Sequence, residues 1–363
     1  MNLRSQTSRI LSAAFVALIA GQGIVAQPTP RQSLLALSKH DHTLAIVDPT
    51  TLKVLAKAPV GPDPHEVIAS SDGKIAYVSI YGGGRYHALS VIDLIAQKAL
   101  PDIDTGALNG PHGLFFIGGK LWFTAEGAKA IARYDPATAK IDWIMGTGQN
   151  RTHMLHVTPD QNHIYTTNVS SATVTILDHI ALPPMGPPPG GPPSGAGSAG
   201  PPPGQPSPGG PPRMDWNETV IPVGKGSEGF DVAPDGGELW TANAQDGTLS
   251  VIDIAAKKVV ATLDAKVYGA NRLKFTGDGK HVLISSLRNG DLVVYDAATR
   301  TEWKRVPIGR GAAGILIEPG GQRVFVACTP DNYVTVIDLN TFAVTGHIEA
   351  GGEPDGLAWA TRP

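Results

Sequence analysis

The chain has 363 residues, with 29 Lys plus Arg against 32 Asp plus Glu and a formal net charge of -3, so no long-range field gathers nucleic acid or anionic lipid. Apolar residues make up 42%, enough for a large core, while 43 Gly and 31 Pro argue for many turns and against long helices. The single cysteine, Cys328, excludes an internal disulfide and a thiolate metal cluster.

In chain order, the first segment reads MNLRSQTSRILSAAFVALIAGQGIVAQ, with Arg4 and Arg9 ahead of the apolar run 10–20 and small residues near Ala26. This pattern predicts a signal peptide over 1–26 and a periplasmic or secreted mature protein. The run is shorter than the roughly 18 to 20 apolar residues of a membrane span, and no other segment approaches that length, so no transmembrane segment is expected.

Residues 27–363 are expected to form one domain built from a repeat. An apolar pair followed by Asp ends at Asp48, Asp93, Asp135, Asp178, Asp253, Asp296 and Asp338, at intervals of 42 to 45 residues except for one of 75. Each unit carries a bulky second strand, as in IAYVSI, KLWFTA and HVLISS, preceded by a strand closed by turns such as APDGGE. A fourth strand follows the Asp. Four short strands repeated seven times predict an all-β, seven-bladed β-propeller with four-stranded antiparallel blades. The chain starts on a second strand, LLALSK at 34–39, and ends on a lone first strand, GEPDGLAWA, so the first blade is expected to be closed by both termini.

The long interval contains residues 183–212, a run of Pro, Gly, Ser and Ala with one Met and one Gln and no charge. Such a run buries no apolar surface and predicts a disordered insert in blade 4. It joins the third and fourth strands, on the face opposite the inner-strand starts.

Aligning the units puts Asp355, His65, His112, His153, Glu228, Asn271 and Ala313 at one position, the start of the innermost strand beside the central channel. His65, His112 and His153 stand on consecutive blades and are candidate ligands for a divalent metal such as zinc or copper. Glu228, Asn271 and Asp355, with Glu66 and Arg272 next to the ring, are candidate ligand-binding groups. A hydrated polar channel without an ion is the plainer alternative. Catalytic residues are not identifiable. There is no G-x-S-x-G elbow, no P-loop and no C-x-x-C-H haem attachment site.

The loop Lys39-His40-Asp41-His42 should open near His65. His156, within an inner strand, reads as a satisfied structural histidine. The seven repeat-ending Asp residues read as Asx-turn acceptors, and Trp122, Phe123, Tyr165, Trp240 and Trp359 as packing residues.

The units NAQDGTLSVIDIAAKKVVATL and NYVTVIDLNTFAVTGHI resemble the repeat of the YVTN β-propellers, a group that includes lactone-hydrolysing enzymes and binding proteins. The third unit, PHGLFFIGGKLWFTAEG, is similar to the streptogramin B lyase repeat, although Ala125 separates Thr124 from Glu126. With the leader pattern and the polar ring, the first expectation is an exported binding or scaffold protein with a small-ligand or metal site at the channel mouth and a small molecule or protein as partner, expected as a monomer. The alternative is a hydrolase or lyase acting at the same channel mouth.

Overall fold

The computed structural model describes residues 28–182 and 213–363. The expected leader at 1–26 and the insert at 183–212 lie outside the described residues. Twenty-eight strands, β1 to β28 in chain order, form seven four-stranded antiparallel sheets. Blade 1 has the order β28-β1-β2-β3, in which β28 (Pro354–Thr361) pairs with β1 (Gln32–Ser38), so the termini close the ring as the repeat phase predicts.

The innermost strands, in order around the axis, are β28, β4 (Pro64–Ala69), β8 (Pro111–Ile117), β12 (Thr152–Val157), β16 (Ser227–Val232), β20 (Ala270–Phe275) and β24 (Ala312–Ile317). Alternating apolar positions on the two middle strands of each blade pack against the next blade. One cluster joins Leu35 and Leu37 to Val78 and Ile80, and another joins Trp240 and Val251 to Leu273 and Ile284. Trp122, Phe123, Tyr165 and Trp240 are buried as expected, whereas Trp359 is only partly buried.

Six of the seven repeat-ending Asp residues accept backbone N–H groups in the following turn, for example Asp48 from Thr50 at 2.8 Å and Asp253 from Ala256 at 2.8 Å. Asp178 is the exception. Here the hairpin does not turn but runs on, with β14 (Thr173–Ala181) paired to β15 (Met214–Pro222) as far as Ala181 and Met214. Asp178 therefore binds His163 at 2.7 Å and Lys257 instead.

The feature that builds the channel is a bulge near the start of every inner strand. The ladder with the second strand skips two residues in each blade: 65–66, 112–113, 153–154, 228–229, 271–272, 313–314 and 355–356. A bulge frees residues from strict alternation and re-aims their side chains. In blades 2, 3 and 6 a hydroxyl one residue before the end of the second strand pins it. Ser79 accepts the Glu66 N–H at 3.0 Å, and Thr124 accepts the Gly113 N–H at 2.9 Å while donating to the His153 carbonyl of the next blade at 2.5 Å. Ser285 does the same for Arg272 and Ala313.

Candidate functional site

The first residue of each bulge is the aligned ring position, and all seven, Asp355, His65, His112, His153, Glu228, Asn271 and Ala313, line one cavity of about 320 Å³ at the channel mouth. Residues up to about 290 positions apart in sequence are brought together because each bulge turns its side chain toward the axis.

Three histidine rings run in series. His112 lies 5.1 Å from His65 and 3.9 Å from His153, measured between ring centroids. They are not equivalent. His153 sits between two carboxylates, with Nδ1 on Glu126 and Nε2 in a close but poorly aligned contact with Glu228 at 2.8 Å. Burial alone lowers its pKa, but the Glu228 charge and the Glu126 hydrogen bond outweigh that effect and raise it to about 9. His153 is therefore an imidazolium at neutral pH.

His112 behaves in the opposite way. It is 2% exposed, and its Nδ1 is buried without a hydrogen-bond partner. Burial, followed by the charges of His153 and His65, holds its pKa well below the usual histidine value, so the ring is neutral.

Glu126 is the hub of one side. Tyr81 donates to it at 2.5 Å, Arg151 Nε lies 3.3 Å away, and His153 completes the set. Burial pushes Glu126 up, yet His153, Arg151 and Tyr81 together bring it down to about 2. Glu228, held below its usual value against burial by His153 and Arg151, also lies 3.8 Å from the Arg151 guanidinium.

On the other side, Lys39 Nζ donates to Asp355 at 3.1 Å and lies 3.0 Å from His65 Nε2, which is also 3.0 Å from Asp63. The hydrogen bond with His65, assisted by the His65 and Lys39 charges, holds Asp63 at about 2 against burial.

The second residue of each bulge reads, from blade 1 to blade 7, Gly356, Glu66, Gly113, Met154, Gly229, Arg272 and Gly314. Glycine alternates with a large side chain, and the odd blade number leaves Gly314 and Gly356 adjacent. The alternation has a steric cause. A Cβ on Gly113 would lie 2.5 Å from the His153 carbonyl oxygen, and one on Gly229 would lie 2.5 Å from the Arg272 Cα. Gly314 and Gly356 similarly abut the Asp355 and His65 carbonyls. The axis thus admits three side chains at this level, and two of them, Glu66 and Arg272, form an ion pair across the channel. Arg272 Nη1 also donates to the Asn271 side-chain oxygen at 3.1 Å.

Alignment on first strands alone does not reach Lys39, which the sequence places only in a loop near His65, nor Tyr81, Glu126 and Arg151. The first three share a position one residue past the end of the second strand, a circle that reads Lys39, Tyr81, Glu126, Val169, Ala244, Leu287 and Thr329. Aligning second-strand exits would have found them. His40 and His42 are exposed and stay out of the cavity, to which their loop contributes Lys39. The triad His112, Glu126 and His153 offers three donor atoms within 4.8 Å of one another, a set that does not include His65. A metal ion there would have to displace the proton between His153 and its carboxylates.

The model of the cytochrome D1 heme domain matches residues 212–326, under a third of the chain. No curated protein sequence matches. Among solved structures, the chain is similar to a functionally unknown protein from Desulfotomaculum acetoxidans, at 12% identity and TM-score 0.67 over 91% of this chain and 99% of that one. It is also similar to Kuenenia stuttgartiensis hydrazine synthase, at 15% identity and TM-score 0.62 over 82% and 89%. A third similar structure is described as "a putative 6-phosphogluconolactonase" from Bacteroides uniformis, at 14% identity and TM-score 0.68 over 91% and 99%. At these identities the likeness is one of fold.

The residues present do not fit a haem at this mouth. The matched stretch contains one histidine, His281, whose ring packs on Trp303 and Phe342 and does not line the channel. His153 is committed to two carboxylates, and the Glu66–Arg272 pair closes the channel beneath a void of about 320 Å³.

Proposed function

We propose that the protein is an exported binding or scaffold module that holds a small polar ligand in the channel mouth. One observation carries this reading: seven bulges deliver their ring residues to a single cavity at the channel mouth, whose wall includes a neutral imidazole, His112, with an unpartnered nitrogen. A buried polar atom left without a partner costs on the order of 1–3 kcal/mol, and a ligand hydrogen-bonded there recovers part of that cost. Lys39 and Arg151 offer donors, so an oxygen-rich ligand such as a hydroxycarboxylate suits the site. The leader pattern at the N-terminus and the YVTN-like repeat support the exported reading. Calorimetric titration with gluconate and citrate, repeated on His112→Ala, tests it: saturable binding that weakens about tenfold or more in the variant supports the site, and no heat from either probe overturns it for this ligand class.

A second reading, ring-opening hydrolysis or elimination, is favoured by one specific contrast. Neutral His112 and cationic His153 stand 3.9 Å apart with pKa values pushed in opposite directions, which is how a base and an acid are set side by side. In lactone hydrolysis, His112 would take a proton from the attacking water as the C–O bond forms. His153 would give its proton to the ring oxygen as the ester C–O bond breaks. Turnover of gluconolactone above the spontaneous rate, lost in His112→Ala, tests it. Elemental analysis of the purified protein separates both readings from a metal centre on His65, His112 and His153.

A further inference from the structure

The three side chains of the second bulge position divide the channel into two chambers. Above them lies the charged mouth. Below lies a separate cavity of about 370 Å³, reaching from Glu66, Met154 and Arg272 down to Pro319 in the turn after β24. This volume falls in the range of small-ligand sites, ~300–1,000 Å³. Its wall has two unlike halves. Blades 7, 1, 2 and 3 contribute Leu316, Trp359, Ile68 and Phe115; blades 4, 5 and 6 contribute His156, Asp231 and Lys274.

The polar half has an excess of donors. Asp231 is already used, accepting the Phe275 N–H at 3.0 Å and Lys274 Nζ at 3.4 Å. The Lys274 ammonium retains two further protons, because Asp231 is its only hydrogen-bond partner among the described residues. His156, whose ring packs on Phe115 at 5.0 Å, has no hydrogen-bond partner among the described residues. Burial keeps it neutral.

We propose that this lower chamber is a second ligand site, for a small aromatic or branched-alkyl molecule ending in an oxygen acceptor, a carboxylate or carbonyl. The apolar body rests on Phe115, Ile68 and Leu316, and the oxygen faces Lys274 and His156. The site is independent of the charged mouth, from which the Glu66–Arg272 pair separates it.

The test is a titration of the full mature chain with phenylacetate, phenylacetamide and phenethylamine, followed by ligand-detected NMR. The expected result is saturable binding of the two oxygen-bearing probes, with the amine at least about tenfold weaker. Leu316→Trp, which fills the chamber, should abolish binding, Lys274→Met and His156→Phe should weaken it, and His112→Ala in the upper cavity should leave it unchanged. The inference is overturned by the absence of saturable binding, or by an amine that binds as tightly as the acid. If Leu316→Trp fails to fold, the rim variants decide: affinity unchanged in both Lys274→Met and His156→Phe also overturns it.

Discussion

Glu66 on β4 and Arg272 on β20 are 206 residues apart in sequence, yet they meet across the channel axis as a largely buried ion pair. Blades 2 and 6 stand nearly opposite in a seven-membered ring, so the two side chains span the full bore. The pair is the partition between the charged and the apolar chamber, and it is possible because glycines occupy the alternate bulge positions.

Breaking this pair from one side should be costly. In Arg272→Met the Glu66 carboxylate remains buried without its counter-charge, and loss of one partner of a buried pair costs roughly 3–5 kcal/mol. The double variant Glu66→Leu/Arg272→Met removes both charges and should recover most of that loss. Urea denaturation of the wild type, both single variants and the double variant measures the coupling. Additive single losses would mean that the two groups do not stabilise one another.

The bulge glycines give a prediction with an internal control. Gly113→Ala drives a methyl group into the His153 carbonyl of the next blade, where only backbone could yield. Overpacking of this kind costs typically 1–3 kcal/mol. Gly277→Ala, in the turn after β20, meets nothing within 4 Å and has no positive φ, so it should be close to neutral or slightly stabilising. Equal melting temperatures for the two variants would contradict the close approach of inner strands.

The two central histidines should give stability opposite slopes with pH. The His153 pKa rises from the ordinary 6.5 to about 9 on folding, so its contribution is complete below about 6.5 and is lost as pH climbs toward 9. His112 has a depressed folded pKa, so its neutral form favours folding above 6.5 and the advantage falls away in acid. Glu126, lowered to about 2 from 4.5, adds a further acid loss as pH falls from about 4.5 through 2. Denaturant midpoints should therefore peak between about pH 6 and 7. Side-chain ¹⁵N spectra check the assignment directly: at pH 7.5 His153 should show two protonated nitrogens and His112 one.

The architecture was legible because every blade repeats one register. The Asp at the end of the third strand is a local turn acceptor in six blades, and a local signal of that kind recurs with the repeat. The ring of seven was legible for the same reason, since alignment on first strands is alignment around the axis. The bulge was not. In three blades a second-strand hydroxyl, Ser79, Thr124 or Ser285, pairs with a backbone group of the bulge, but Leu37, Ala242 and Ala327 stand at that position in others, so no residue type recurs with the period to mark it. The protonation of His153 was equally hidden, because Glu126 reaches it from the neighbouring blade's second-strand exit.

The ends of the insert make a final prediction. Leu182 N–H donates to the Arg213 carbonyl at 2.7 Å, continuing the β14–β15 ladder beyond Ala181 and Met214. The chain on either side of 183–212 is thus already placed as a hairpin, and an Asn-Gly pair can close it as a two-residue turn. Shortening a loop from thirty residues to two removes closure entropy worth about 2 kcal/mol at ~0.6 kcal/mol per doubling, so the melting temperature should rise by a few degrees. Both chambers should keep their ligand affinities, since no residue within nine positions of the cut lines either cavity. A lower melting temperature in the shortened chain would mean that residues 183–212 make stabilising contacts with the blades.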